Sequence, residues 1–458
     1  MWWWVASALA TVQSIEVSPG EDWCALANAA NYGDEIVLLA GEHAGPCTLR
    51  APNVTVRGDG QAHVVYSGAN SNVVDIEASG VVLSGLWFGP TQTNIDAVKI
   101  KSGDDIQIVD CLFERIGGIS IAANSTDSVG VQIVGNHLDD LQATGIYLGC
   151  HDGTCRAADF LIAENLIDGV VSSGVGYGLE TKLNSWGIIR DNVINDTQGP
   201  AIEVYGSNTD SDVTLVEGNY AVGSTNDATL EIAGGPVIVR NNIVIGGTGG
   251  GILAYDYGGR GLQREVQIIG NSVVGKAGAA IGVSTWAADR GLVLANNAAW
   301  QESGYGPALP AAIAGVDMSS NTDCDAACWS DSASGDFNPA SLGVGTGGYD
   351  MATDFCGIQR YDPPIIGAIE RDGPSSLPID FKDAIECNSG TGPTDTTTST
   401  DDDTDDTPTE PDDVDPGSSA SDDANEGGGC GCRTVDPVGS GFWLAILAMA
   451  GRSRRKAA

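Results

Sequence analysis

Along most of this chain apolar and polar positions alternate with a period of two, in short runs such as Val131-Gln132-Ile133-Val134 and Val237-Ile238-Val239-Arg240. Each run gives way to Gly, Asn, Asp or Ser. A period of two is the mark of a half-buried strand, and no stretch of about ten residues carries helical spacing instead. The pattern predicts many short strands joined by tight turns.

Asparagine punctuates the runs at Asn136, Asn165, Asn192, Asn219, Asn242, Asn271 and Asn297, with spacings of 29, 27, 27, 23, 29 and 26 residues. Recurrence at this interval means a solenoid, a propeller or an array. A propeller blade needs about 40 residues, whereas three short strands and their turns fill one coil of a parallel β-helix. The expectation is an all-β chain wound as a β-solenoid. In it the asparagines would adopt the left-handed conformation at a bend and stack their amides from coil to coil.

These residues resemble a known family, the right-handed parallel β-helix proteins, many of which are polysaccharide lyases, glycoside hydrolases or epimerases. The resemblance runs over roughly residues 16–370. Its opening, from Ser18-Pro19-Gly20 through Ala25 to Ala30 and Gly33 to Leu38, looks like the family's N-terminal cap and first strand. Its close, from Asp354 to Arg360 and from Ile366 to Glu370, resembles the segment that ends many bacterial surface β-helices. The resemblance implies a fold, and one fold hosts many chemistries.

Composition divides the rest. Residues 1–15 read as the remnant of a secretory signal, with Ala8-Leu9-Ala10 in small-x-small form; a disordered or cap-packed N-terminus is the alternative. The β-helix is expected over 16–299, and a loop-rich C-terminal cap and closing segment over 300–388. Residues 389–429 form a disordered acidic linker, in which 13 Asp and Glu from Asp395 to Glu426 meet no Lys or Arg. The last segment, 430–458, joins Cys430-Gly431-Cys432 to a short apolar run, Phe442 to Ala450, and a basic end. About 20 apolar residues are needed to span a bilayer, so that run is a poor anchor by itself. Its order of parts resembles the C-terminal surface-sorting tail of myxobacteria and their relatives. That resemblance implies cleavage near Cys430 and Cys432, attachment to the cell envelope, and display at the cell surface or outer membrane. A plain C-terminal anchor helix is the alternative.

Charge and cysteine content narrow the partners. With 21 Lys+Arg against 61 Asp+Glu, a net charge of −40, nucleic acid is not an expected partner. Cysteines fall into local pairs, Cys24 with Cys47, Cys150 with Cys155, Cys324 with Cys328 and Cys356 with Cys387, which suits disulfides in an exported protein. Cys111 reads as a small core residue. No histidine lies near Cys324 and Cys328, which argues against zinc there.

Chemistry has to lie on the outside of the coils, because aliphatic residues fill the inside. Alternation places Leu179 and Thr181 inward and Glu180 and Lys182 outward. The same rule exposes Glu203, Tyr205, Glu231, Tyr255 and, upstream, Tyr147. Stacking then sets Glu180, Glu203 and Glu231 in one column and Lys182, Tyr205 and Tyr255 in the next. Crowded carboxylates repel and raise a pKa, which supplies a general acid. Lys182 or Tyr205 would be the base that removes the C5 proton of a uronic acid, and tyrosines offer flat surfaces to sugar rings. Tyr257 and Trp286 would extend the groove as substrate-binding aromatics, or be a turn excursion and a rim residue. No cofactor is required, although the carboxylates could take Ca2+. The stretch Glu180 to Asn184, with Ile189 to Asn192 and Thr197 to Gly199, resembles the part of chondroitinase-B-like and alginate lyases that carries the catalytic lysine. Lys182 falls on that position. The arginine and histidine of those enzymes are represented by Val204 and Tyr205, a departure that puts their mechanism in question. Expected functions are therefore polysaccharide binding or cleavage, by β-elimination or hydrolysis, or a non-catalytic adhesive or structural role.

Overall fold

The computed structural model describes residues 12–370, Ser173 apart. The chain is a parallel β-helix. One sheet is a stack of ten three-residue strands, from Cys47–Leu49 through Ile146–Leu148, Leu179–Thr181, Ile202–Val204, Leu230–Ile232 and Ile252–Ala254 to Ile281–Val283. The other two faces of each coil share a larger sheet, because the long strands Thr55–Val65 and Val82–Phe88 bend through both. The ladders of the helix proper are parallel, and those of the ten-strand sheet keep register from coil to coil, as in Leu179↔Ile202↔Leu230↔Ile252; the larger sheet has register shifts at Arg57/Ala62 and Ala158/Phe160. Alternation then does what the sequence anticipates: the Val, Ile and Leu at every second position pack into one continuous core.

The N-terminal end is closed by a single helix, Trp23–Ala29, whose first turn is capped by the Asp22 side chain accepting from Ala25 N. Trp23 is buried and donates its indole N–H to Ala44 O at 2.9 Å. The disulfide Cys24–Cys47 joins this helix to the first strand of the ten-strand sheet. Cys150–Cys155 and Cys324–Cys328 are also bonded, and Cys356 is in a disulfide as well; Cys387 lies outside the described residues. Cys111 is unbonded and buried, and burial pushes its thiol up to about 12. So do the sorting-tail residues Cys430 and Cys432, the acidic linker and residues 1–11 lie outside what is described.

At one corner of each coil the asparagine series forms an unbroken ladder. The Oδ1 of Asn219 accepts from Asn192 at both N (3.1 Å) and Nδ2 (2.9 Å), and Asn219 in turn donates the same pair to Asn242. Each Nδ2 also reaches a strand carbonyl of the preceding coil, Asn219 to Ile189 O at 3.0 Å. The ladder starts at Cys111, whose N–H donates to Asn136 Oδ1, and runs on past Asn297 to Asn321. One expectation changes here. The left-handed residue is the one before each asparagine, at Gly135, Glu164, Asp191, Gly218, Asn241, Gly270 and Asn296, with φ between 55° and 68°. The asparagine itself keeps ordinary backbone angles and works only through its amide.

The β-helix also runs further than Ala299. Residues 302–321 wander, but Asn321 resumes the ladder and Thr322–Cys324 pairs in parallel with Ala298–Trp300. Beyond this, the chain folds back along the outer face of the helix. There Trp329, Phe337, Phe355, Ile365 and Ile369 pack on Tyr220, Ile243 and Ala298 as a second hydrophobic core. The returning segment docks on two corner residues: Asn296 exchanges hydrogen bonds with Thr346, and Asn241 accepts from Arg360 Nη2 at 2.8 Å. Arg360 is buried and pairs with Glu370 at 3.1 Å.

Asn219→Ala removes an acceptor that serves two buried N–H donors, each costing about 1–3 kcal/mol when left unpaired. Urea unfolding of this variant is expected to show a loss of about 3 kcal/mol or more. A loss below 1 kcal/mol would mean that the ladder decorates the corner rather than holding it.

Candidate functional site

The sequence-derived columns are present. Tyr147, Glu180, Glu203, Glu231 and Leu253 occupy one line of in-register positions on the outer face of the ten-strand sheet. Neighbouring rungs lie about 4.8 Å apart. Lys182, Tyr205 and Tyr255 follow two residues further along their coils.

Exposure is where the expectation fails. Glu180 and Glu203 are each 1% exposed, Lys182 4% and Tyr205 5%. These side chains point out of the coil and are nevertheless buried, because the segment from Tyr255 to Leu262 returns across them. Tyr255 Oη donates to Glu203 Oε1 at 3.3 Å. Tyr257, in the short 3-10 turn Tyr257–Gly259, sets its ring edge-on to Tyr205 with centroids 5.1 Å apart. Over both rings lies the exposed Arg260, 4.9 Å from the centroid of Tyr257 and 5.7 Å from that of Tyr205. At the far end of the loop Gln263 is fully buried, donating to Ile232 O and Tyr255 O. Trp286, expected at the rim of a groove, is instead buried beneath this anchor and donates its indole N–H to Gln263 Oε1 at 2.9 Å. It belongs to the core.

Lys182 is enclosed. Its ammonium pairs with Glu180 and lies 4.2 Å from the ring centroid of Tyr205, 5.0 Å from Tyr147 and 5.9 Å from Tyr177. A carboxylate and three ring faces thus surround the ammonium. Burial and then the charges of Glu203 and Glu180 push the pKa of Tyr205 up. Lys99 and Lys101, on an earlier coil of the same sheet, pair with Asp96 at 3.3 Å and Asp75 at 2.5 Å.

The three carboxyls differ. Burial raises all of them, but Glu180 has Lys182 as a counter-ion that pulls it back. Glu203 goes furthest, well above the ordinary carboxylate range, because the charge of Glu231 and then that of Glu180 add to its burial. Glu231, raised by its own burial, lies beside Glu203 and helps to hold it up, and it accepts from Ala228 N at 3.2 Å. Among the described residues no group of three or more His, Cys, Asp or Glu is arranged to hold a metal ion. Tyr177 is the participant that alternation misses. It precedes the strand in the turn Gly176-Tyr177-Gly178, where period-two assignment has no force. Val204 is fully buried and faces the core.

A family model for the right handed beta helix region matches residues 162–322. No curated protein sequence matches the chain. Among solved structures, it is similar to a PL6 alginate lyase complexed with a trisaccharide, at 14% identity over 56% of this chain and 60% of that one, TM-score 0.39. It is similar to the A-module of the mannuronan C-5 epimerase AlgE6 of Azotobacter vinelandii, at 14% over 66% and 93%, TM-score 0.43. Pectate lyase Pel9A is a third, at 12% over 80% and 98%, TM-score 0.42. The chain spans 60% and 64% of the length of two alginate lyases it resembles. None of these likenesses assigns a role to a residue of this chain.

Burial of the glutamates has a consequence for stability. A carboxyl whose pKa is raised on folding binds more protons in the folded than in the unfolded state. Its contribution is complete below the ordinary value of 4.5 and is lost as pH rises toward the folded value. Wild-type protein is expected to lose thermal stability as pH rises above the ordinary carboxylate range, and Glu203→Gln to flatten that decline. Parallel pH profiles of the two proteins would show that Glu203 is not the buried acid.

Proposed function

We propose that this protein is an exported polysaccharide-processing β-helix whose site is the outer face of the ten-strand sheet, at Glu180, Lys182, Glu203 and Tyr205. One observation carries the reading. Two carboxyls sit on adjacent rungs, one supplied with a lysine counter-ion and the other made to keep its proton. Cleavage of a glycosidic bond uses that division: an acid protonates the departing oxygen while an anion supports the positive charge that grows on the sugar. Glu203 is the proton donor in this scheme, Glu180 the anion, and Lys182 the group that keeps Glu180 ionised; water adds to the sugar carbon where the glycosidic bond breaks, and the proton it releases restores Glu203. Glu231 holds the proton on Glu203. Tyr147, Tyr255 and Tyr257 offer ring faces to sugars at the edge of the site. Substrate reaches the carboxyls when the Tyr255 to Leu262 segment moves aside.

Uronate β-elimination is the second reading, favoured by the contact between Lys182 and Tyr205. There the ammonium would neutralise the uronate carboxylate, the Glu180 carboxylate would take the C5 proton, and the Tyr205 phenol would donate to the leaving oxygen as its bond to C4 breaks and the C4–C5 double bond forms. Disulfides support an oxidising compartment. With the acidic linker as stalk and the Cys430 to Lys456 tail as sorting signal, the β-helix would be displayed on the cell surface.

Purified protein should be incubated with a panel of neutral and uronate polysaccharides, following both new reducing ends and absorbance of unsaturated products. Hydrolysis is expected, with Glu203→Gln and Glu180→Gln each slowing it by about a hundredfold. Unsaturated product lost in Lys182→Ala and Tyr205→Phe would favour elimination. Retained glycan binding without either product would leave a non-catalytic binder and sink the processing proposal. For display, a double Cys430→Ser, Cys432→Ser variant is expected in the culture medium on immunoblots; unchanged cell association would remove the tail from the account.

A further inference from the structure

A second groove lies on a different face of the helix. The in-register line Asn195↔Val222↔Ile245↔Val274↔Trp300 crosses five coils of the larger sheet, pointing outward. At about 4.8 Å per rung the line is about 19 Å long. Its floor is three aliphatic side chains, with Tyr220 beside it and Trp300 at one end. The turn of the C-terminal cap, Ser332 to Gly335, forms the opposite wall, and the enclosed space is about 320 Å³. Well-packed interfaces leave few voids larger than a water molecule. This space is the size of a small-ligand site.

The rim is polar and uncommitted. Lys276 and Glu302 follow Val274 and Trp300 by two residues on adjacent coils, both exposed, and no ion pair is formed by either among the described residues. Asn195 closes the far end, its Nδ2 donating to Asp168 at 3.2 Å. Aliphatic floor, aromatic flank and separated donors and acceptors at the edge match the two sides of a pyranose ring, apolar C–H faces and peripheral hydroxyls.

Charge narrows the class. The same line of positions continues beyond Asn195 into Asp168, Asp139 and Glu114. A polyuronate lying along it would meet three carboxylates, while the opposite charges of Lys276 and Glu302 offer no net attraction. We propose that this groove binds an uncharged oligosaccharide chain, lying along the helix axis between Asn195 and Trp300. The proposal rests on the reading of the protein as one that engages polysaccharide, and it adds a site separate from the glutamate face.

The test titrates the full chain with the neutral hexasaccharides cellohexaose, xylohexaose and mannohexaose, and with a hexagalacturonate. Calorimetry and tryptophan fluorescence are the readouts. At least one neutral hexasaccharide is expected to bind and to change an emission component that is missing in Trp300→Ala. Lys276→Ala and Glu302→Ala change exposed rim residues and leave the fold intact; each is expected to weaken binding by about tenfold. Hexagalacturonate should bind more weakly than the neutral chain. Absence of neutral binding, equal affinity in all three variants, or preference for hexagalacturonate with loss in Lys276→Ala would each overturn the proposal. Loss of cleavage at the glutamate face with rim-dependent binding intact would refute only the processing scheme, and the converse only this groove.

Discussion

Everything in this molecule depends on one repeated hydrogen-bonding arrangement, the column of asparagine amides at a corner of the coil. Each amide joins three coils: it accepts from the asparagine below, donates to the one above, and donates again to a strand carbonyl of the preceding turn. The groups are buried, where an unpaired donor is costly and a paired one is strong. Coils are thereby held in phase. Only because they are in phase do residues separated by a whole coil become neighbours.

The glutamate face shows what that rigidity permits. Three carboxyls and one ammonium under a layer of tyrosines would be a costly set of charges to remove from water in a loosely built protein. Here the strands that carry them are fixed on both sides by parallel ladders, and the covering loop is anchored by Gln263 and Trp286 in the core. The desolvation that is unfavourable for stability is also what divides the protons unequally among the carboxyls. A destabilised cluster supported by a stable frame is the usual form of a functional site.

The C-terminal segment exploits the same corner. A left-handed residue at each bend turns its side chain away from the coil, so Asn241 and Asn296 are free to receive the returning chain. Their contacts, with the buried Arg360–Glu370 pair, lay a second core against the outside of the helix. That return creates the wall of the Tyr220 and Trp300 groove. One structural habit of the repeat thus supports two different surfaces.

By itself the sequence determined the coil. The asparagine interval and the alternation are local properties of short segments, and they suffice to set the winding, the ladder and the membership of the Glu180, Glu203 and Glu231 column. They were silent on the residue that actually takes the left-handed bend, because many residue types occupy it: Gly135, Glu164, Asp191 and Asn241 share no chemistry. They were silent on exposure too. Whether an outward side chain meets water is decided by segments far away in the chain, here Tyr255 to Leu262 over Glu203 and residues 325–370 over Tyr220. For the same reason Trp286 read as a rim aromatic and proved to be core, and Lys182, read as exposed, proved to be buried. Periodicity sets direction relative to the backbone; burial, and with it protonation, is a property of the whole fold.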